Sequence, residues 1–354
     1  MARDYAGDRE TYPKRFFEGE AMATYKDIQR ATGLSLSTIS KHFNGAPVRP
    51  ENATAIKQAA DELGFRVNGV ARGLRSGRSE TVGVLVPSLD NGFILALIAG
   101  VERHLRRHGI GVLVSSSPAL DDAPGEAVES LRSRMVDGIV SVPSPHDVAA
   151  LGSARRAGLP IVTIDHTFAD LEADHVQLDN RAAGAMAAFH LLDHGHRRIG
   201  VIGGGDAIGS LGERRDGFVE ALESRGLGGR DLLLRDDEPT VDAGRRAMHA
   251  MIARDDRPSA VFTANYDLSI GGLIALNESG LSVPDELSFV GFDLDDIARV
   301  SRPRATTIAQ PIDVIAEKAA GLMLERIGRG PGGDPRFVTV PADLTAGESV
   351  RRHR

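Results

Sequence analysis

The stretch from Thr24 to Asn44, TYKDIQRATGLSLSTISKHFN, decides how the rest of the chain is read. Thr24, with Asp27 three residues on, is a capping-box variant that opens a helix. Ile28 and Ala31 share one face of that helix, and Gly33 suits a left-handed turn. Ser35 caps a second helix from Leu36 to Phe43, with Ile39 pointing back at the first. Asn44-Gly45-Ala46-Pro47 breaks the chain, and a third helix follows Pro50. Its inner stripe is Ile56, Ala59, Ala60 and Leu63, and Gly64 ends it. Two helices joined by a short Gly-containing turn make a helix-turn-helix, whose second helix enters a major groove with its first residues at the base edges. The outward residues there, Leu36, Ser37, Thr38 and Lys41, are small, polar or basic, and Leu36 suits a thymine methyl.

Charge supports that reading of the head. Residues 22–79 hold nine Lys/Arg against four acids, although the whole 354-residue chain is at −7. A basic head on an acidic body is the asymmetry expected when one module meets a polyanion. Residues 68–75 form a weak, basic helix candidate with two interior glycines, expected to stay disordered until something orders it, and 76–79 read as linker.

From Thr81 onward the pattern changes to apolar strands alternating with amphipathic helices. Strands are expected at 82–86, 111–115, 138–142, 161–164, 199–202, 232–234, 260–263 and 288–291. Helices fill the gaps, among them 93–108, 181–194 and 266–279. Such β-branched runs without polar alternation suit parallel strands buried on both faces. Two doubly wound lobes or a barrel would fit that many units. The chain has no cysteine, which excludes disulfides and thiolate metal sites. No apolar run approaches the ~20 residues of a membrane span, and the N-terminus lacks the apolar core of a signal peptide, so a cytoplasmic protein is expected.

The Thr24–Asn44 run closely resembles the head of the lactose-repressor/galactose-repressor (LacI/GalR) family, and 68–74, NGVARGL, resembles that family's hinge helix. The body adds VGVLVP at 82–87, NGF at 91–93, DGI at 137–139 and HGHRRIG at 194–200. Further on come GF at 217–218, VGFD at 290–293 and TTIAQ at 306–310, all in family order and spacing. The resemblance implies a small all-α helix-turn-helix head on an α/β body of two doubly wound parallel-sheet lobes of the periplasmic-binding-protein type, which decides against the barrel. It implies a regulator, most simply a repressor, that binds double-stranded operator DNA as a homodimer under control of a small-molecule effector. A sugar or sugar derivative is the expected effector. No leucine heptads follow the body, so a dimer is expected rather than a tetramer.

The implied domains are an extension over 1–22, expected to be disordered, the head over 23–66, hinge and linker over 67–79, and a body over 80–347. Within the body, the first lobe takes about 80–178 and 308–335, the second about 179–307 and 336–347, and 348–354 form a basic tail. The chain would cross between lobes near Asp179, Thr307 and Pro335. Positions matched to DNA contact are Thr24, Ser35, Leu36, Ser37, Thr38, Lys41, His42, Asn44, Asn68, Ala71 and Leu74. Lys41 would donate to guanine or, alternatively, hold a phosphate. Leu74 would wedge into the minor groove or else pack on the body.

In the cleft, Phe93 and Ile94 would form an apolar wall. Asp165, Arg214, Asn265 and Asp293 would be the polar groups, with Gln310 near a lobe crossing. Each has a plain alternative: Asp165 and Asp293 as strand-end turn formers, Asn265 as a helix cap, Arg214 as a solvated charge. The chain departs from the family at Gln29, Thr32, Val67, Gly92 and the order Asn265-Tyr266-Asp267, which leaves the role of Asp267 open. Residues 1–21 have no family counterpart, and Met22 is a candidate start.

Other signals are weaker. The glycines after Ile202 fail the dinucleotide spacing at Ile208, and His194-Gly-His196 brings no third metal ligand. No nucleophile–base pair can be placed, so no enzyme, cofactor or metal site is expected. The alternatives are an α/β enzyme with an accessory head and a pure solute-binding protein.

Overall fold

The computed structural model describes residues 23–43, 46–66, 78–89, 91–117, 124–165, 168, 170–204, 209–229, 232–330 and 332–353. Residues 1–22, Asn44 and the hinge positions Asn68, Ala71 and Leu74 lie outside the described residues. The chain divides into two units, Met1–Ser79 and Glu80–Arg354.

In the head, α1 (Tyr25–Thr32), α2 (Leu36–Phe43) and α3 (Pro50–Glu62) form where local caps and apolar spacing agree. The Asp27 carboxylate accepts from the Thr24 N–H at 2.7 Å and from its hydroxyl at 2.6 Å. Gly33 ends α1 at φ 69°, a left-handed conformation that costs glycine nothing. Ser35 Oγ accepts from the Thr38 N–H at 3.2 Å and so caps α2. Ile28, Ile39 and Ile56 are fully buried, each contributing ~1.5–3 kcal/mol. Around them the rings of Tyr25, Phe43 and Phe65 pack with centroids 5.0–5.5 Å apart. Two expected core residues are exposed, Ala31 and Leu63, the latter by 40%, while Tyr25 packs against the core from the first turn of α1. The turn at Gly64 brings Phe65 inward instead.

The first lobe of the body runs β1 (Thr81–Val86), α4 (Gly92–Arg106), β2 (Gly111–Ser116), α5 (Glu126–Ser133) and β3 (Ile139–Ser141). It continues with α6 (Val148–Arg156), β4 (Ile161–Ile164) and β5 (Asp174–Leu178). The second lobe runs α7 (Asn180–Asp193), β6 (Ile199–Gly204), α8 (Gly209–Glu223), β7 (Leu232–Asp237) and α9 (Val241–Ile252). Then come β8 (Ala260–Thr263), α10 (Tyr266–Ser279), β9 (Ser288–Phe292), α11 (Asp295–Val300) and β10 (Thr306–Ala309). The chain returns to the first lobe for α12 (Ile312–Arg329) and β11 (Phe337–Val340), and ends in the second sheet with β12 (Asp343–Thr345).

The result is two open six-stranded sheets, β11-β5-β4-β3-β1-β2 and β12-β10-β9-β8-β6-β7. All pairings are parallel except β10 with β12. Each sheet buries both faces. In the first lobe α4 and α12 cover one face and α5 and α6 the other. In the second, α7 and α8 lie opposite α9 and α10. The α7–α8 contact is backbone to backbone: a Cβ on Gly184 would stand 1.9 Å from the Arg214 carbonyl oxygen. Gly217 is equally hemmed in, its Cβ position 2.1 Å from Arg181 O.

Two expected boundaries are corrected. The third crossing lies at Pro341–Ala342 and not near Pro335, because Phe337–Val340 pair in register with His175–Leu178 as an edge strand of the first sheet. Residues 348–353 are not a free tail. The buried Ser349 hydroxyl donates to Phe289 O at 2.6 Å and accepts from Thr306 N at 2.7 Å. The His353 N–H donates to His194 O at 2.7 Å. No helix among the described residues is long and apolar enough to cross a membrane.

Asp174, at the start of β5, ties this late segment into the first lobe. Its carboxylate accepts a fork from Arg326 (2.6 and 2.8 Å) and a second from the Arg336 side chain and backbone (both 2.9 Å). Burial opposes the charge, but the hydrogen bonds from Arg326 and Arg336 outweigh it and hold the carboxyl at about 2. Asp174→Ala removes the buried carboxylate that Arg326 and Arg336 share and should cost ~1.5–3 kcal/mol in urea unfolding. Because the folded pKa is depressed, the wild-type contribution is present above the ordinary carboxylate range and lost only as pH falls toward about 2. The variant should lack that part of the acid limb.

Candidate functional site

On the head, α2 carries the residues nominated for base contact. Leu36 is 39% exposed despite its apolar side chain, and Ser37 and Lys41 are exposed beside it. Ser35 Oγ lies 3.0 Å from Ser37 Oγ and 2.9 Å from Thr38 Oγ1, so three hydroxyls cluster at the start of the helix. Lys41 and His42 put the basic groups in its last turn. Thr24 is exposed, but its hydroxyl already donates to Asp27; that bond and those from the Thr24 backbone and Arg30 hold the Asp27 carboxyl below its ordinary range.

In the body, all seven nominated residues line one cavity of about 280 Å³ between the lobes. Phe93, Ile94 and Asp165 come from the first lobe, Arg214, Asn265 and Asp293 from the second, and Gln310 from the second crossing. Hollows of about 580 and 480 Å³ are lined by first-lobe residues alone and gather none of the seven.

Arg214 is buried and not a solvated helix charge; its neighbour Arg215 pairs with Asp216. Arg214 Nε donates to Asn180 Oδ1 at 2.8 Å, and a terminal nitrogen to Ala264 O at 2.9 Å. The guanidinium carbon lies 3.9 Å above the centre of the Phe292 ring. Its other terminal nitrogen is 3.7 Å from Asp165 Oδ1, across the cleft. Burial pushes the Arg214 pKa below the usual arginine value, with Asp165 and Asp293 pulling back.

Asp165 and Asp293 occupy equivalent places, each just past the third strand of its sheet, β4 and β9. Both are left-handed, at φ 69° and 56°. Their N–H groups bond the neighbouring strand, to Val176 O at 3.1 Å and Ile308 O at 2.8 Å. Such a conformation costs ~1–3 kcal/mol outside glycine and is most tolerable for Asn and Asp. It turns the chain sharply out of each sheet at the cleft. The Asp293 carboxylate accepts from Gln310 N at 3.0 Å and Nε2 at 2.8 Å. Burial nevertheless pushes its carboxyl up to about 6, against the pull of Arg214 and the Gln310 bonds.

Asn265 both caps and lines. Its Oδ1 accepts from Leu268 N at 2.9 Å, which leaves its NH2 group as the part able to serve a ligand. Sequence reading did not nominate Asn91, Ser210, Leu211 or Tyr266, which also line the cavity. Asn91 had a signal, since it precedes an apolar helix as a cap; Tyr266 had one only as part of the departure at Asn265-Tyr266-Asp267, since a tyrosine in a first helical turn is ordinary.

Residues 188–350 match the family model described as a periplasmic binding protein-like domain. Over 334 residues the chain is 32% identical to the HTH-type transcriptional regulator GalR of Salmonella typhimurium, covering 94% of this chain and 96% of that one. Its structure is similar to that of a LacI family transcriptional regulator from Enterococcus faecium with bound ribose, with a TM-score of 0.70 at 26% identity over 77% of this chain and 100% of the other. The fold is also that of the lac repressor dimer bound to operator and the anti-inducer ONPF, with a TM-score of 0.81 at 21% identity over 94% and 100% of the two chains. Agreement in sequence along nearly the full length of a curated relative carries the conclusion that this chain belongs to the LacI/GalR family of transcriptional regulators.

Proposed function

We propose that this regulator is a cytoplasmic repressor that grips a palindromic operator as a homodimer and answers to a sugar or sugar derivative in the cavity between its lobes. One observation carries the reading: seven residues scattered from Phe93 to Gln310 converge on a single cleft cavity in a chain that also carries a basic helix-turn-helix. Carboxylates and amides exchange hydrogen bonds with hydroxyls, and Phe93 offers a ring to a sugar's apolar face. The ribose held by the Enterococcus faecium regulator supports that chemistry.

At the head, Lys and Arg would neutralise phosphates and supply most of the affinity, while Leu36, Ser37 and Lys41 read base edges. Leu74 would act as the minor-groove wedge. Each lobe leaves large apolar side chains in solvent, Leu95 and Val114 in the first, Leu234 and Ile274 in the second, and pairing of two chains would cover them. Effector binding would shift lobe closure and with it the hinge helices, so operator and effector affinities are linked.

The reading is tested by operator-shift titrations of palindromic and random duplexes at several salt concentrations, beside thermal-shift screening of sugars, since a cleft ligand must raise apparent stability. No preference for any palindrome would overturn it. Lys41→Ala should relax selection at one operator position by ~1–3 kcal/mol; uniform weakening across all sequences would assign Lys41 to a phosphate. Leu74→Ala should abolish DNA bending and leave effector affinity intact.

A ligand hydroxyl that donates to Asp293 favours its charged form. Sugar affinity should therefore rise with pH through about 6, and Asp293→Asn should flatten the profile in calorimetric titrations. The ligand-free body shows the opposite sign: its folded carboxyl lies above the ordinary range, so this group's stabilisation is present in acid and lost as pH rises through about 6.

A further inference from the structure

Two consecutive pairs of residues face each other across the cleft. Asn91 caps α4 of the first lobe and Gly92 begins it, while Tyr266 and Asp267 begin α10 of the second. Asn91 Oδ1 accepts from the backbone N–H of Phe93 at 2.9 Å and of Ile94 at 3.4 Å, which fixes the amide. Its Nδ2 then donates across the cleft to Asp267 Oδ2 at 3.1 Å. Beside this bond, the hydroxyl end of Tyr266 lies over the Gly92 backbone. A Cβ built on Gly92 would stand 3.6 Å from the Tyr266 hydroxyl and 3.7 Å from Cζ. An alanine there would just touch the ring, and any longer side chain would push it away. Asn91, Tyr266 and Asp267 all line the cavity.

A side chain that reaches from one lobe to the backbone of the other closes the cleft along its own line. A ligand longer than the space behind that line must displace it. The cavity, at about 280 Å³, is already at the lower edge of the ~300–1,000 Å³ usual for small-molecule sites. We propose, resting on the reading of this cavity as a sugar site, that Tyr266 is a specificity-determining residue. Together with the Asp267–Asn91 hydrogen bond it clasps the lobes and restricts the ligand to a single sugar ring.

The clasp can be tested apart from the ligand. The chain has no cysteine, so Ser133→Cys in the first lobe and Val300→Cys in the second, both at exposed positions, accept spin labels at known places. Mixed with excess unlabelled chain, so that a dimer carries at most one labelled chain, the parent should give one narrow interlobe distance by pulsed dipolar spectroscopy. Tyr266→Ala with Asp267→Asn should broaden and lengthen it, and so should Gly92→Val, which pushes the ring from the opposite side. An unchanged distribution in both variants overturns the clasp.

Size selection is read by titrating D-ribose and cellobiose and following thermal stability. The parent should respond to ribose and not to cellobiose, and Tyr266→Ala should gain cellobiose affinity by on the order of tenfold or more. A parent that takes cellobiose as tightly as ribose overturns the size limit. If the parent takes neither of these nor any other sugar in the thermal-shift screen, the sugar reading and the size limit built on it fall together, and the interlobe distance alone decides the clasp.

Discussion

A guanidinium buried at the lobe junction has to be satisfied from all sides, and Arg214 meets that demand with groups drawn from every part of the body it touches. A lone buried charge would cost many kcal/mol or lose its proton. Here Asn180 at the first crossing, the Ala264 carbonyl past β8, the Phe292 face at the end of β9 and Asp165 of the other lobe share the load. Asp293 does the corresponding work at the second crossing through its paired bonds with Gln310. Two of the cavity's charged residues, Arg214 and Asp293, are therefore joined to two of the three segments by which the chain passes between the lobes. Anything that changes the charge or partners of either residue acts directly on a hinge.

Glycines make this arrangement reachable. Without a bare Cα at Gly184 and Gly217, α7 and α8 could not lie backbone against backbone, and Arg214 would be carried away from Asn180. The left-handed turns at Asp165 and Asp293 contribute in the same way from the two sheets, bringing one carboxylate from each lobe to the cleft.

The parts that could be read in the sequence were those whose signals are local. The head's caps, its Gly33 turn and its three buried isoleucines lie within a few residues of the helices they specify, and the eight apolar strands announce themselves by composition. What escaped depends on distant partners. β5 opens with Asp174 and His175 and looks like a loop, because the arginines that make Asp174 tolerable in the interior lie 152 and 162 residues further on. The family resemblance sets the last crossing before β11, and the strand carries no burial pattern to correct it, since Phe337 is 70% exposed at a sheet edge. At the cavity, motif matching brings in six residues that sit at strand ends and helix starts, and Arg214 from the second turn of α8. It missed Tyr266, whose contact with Gly92 exists only once the two lobes face each other.

The threefold passage of the chain between lobes has a bearing on how the protein is made. The head, residues 23–66, is contiguous and complete early in synthesis, whereas the first lobe waits for α12 and β11 and the second for β12 and Ser349. Neither sheet can close until α12 and the strands after it have left the ribosome, so both lobes wait for the same late segment. A message cut short between α12 and the end of β11 would yield a finished head attached to two unfinished lobes.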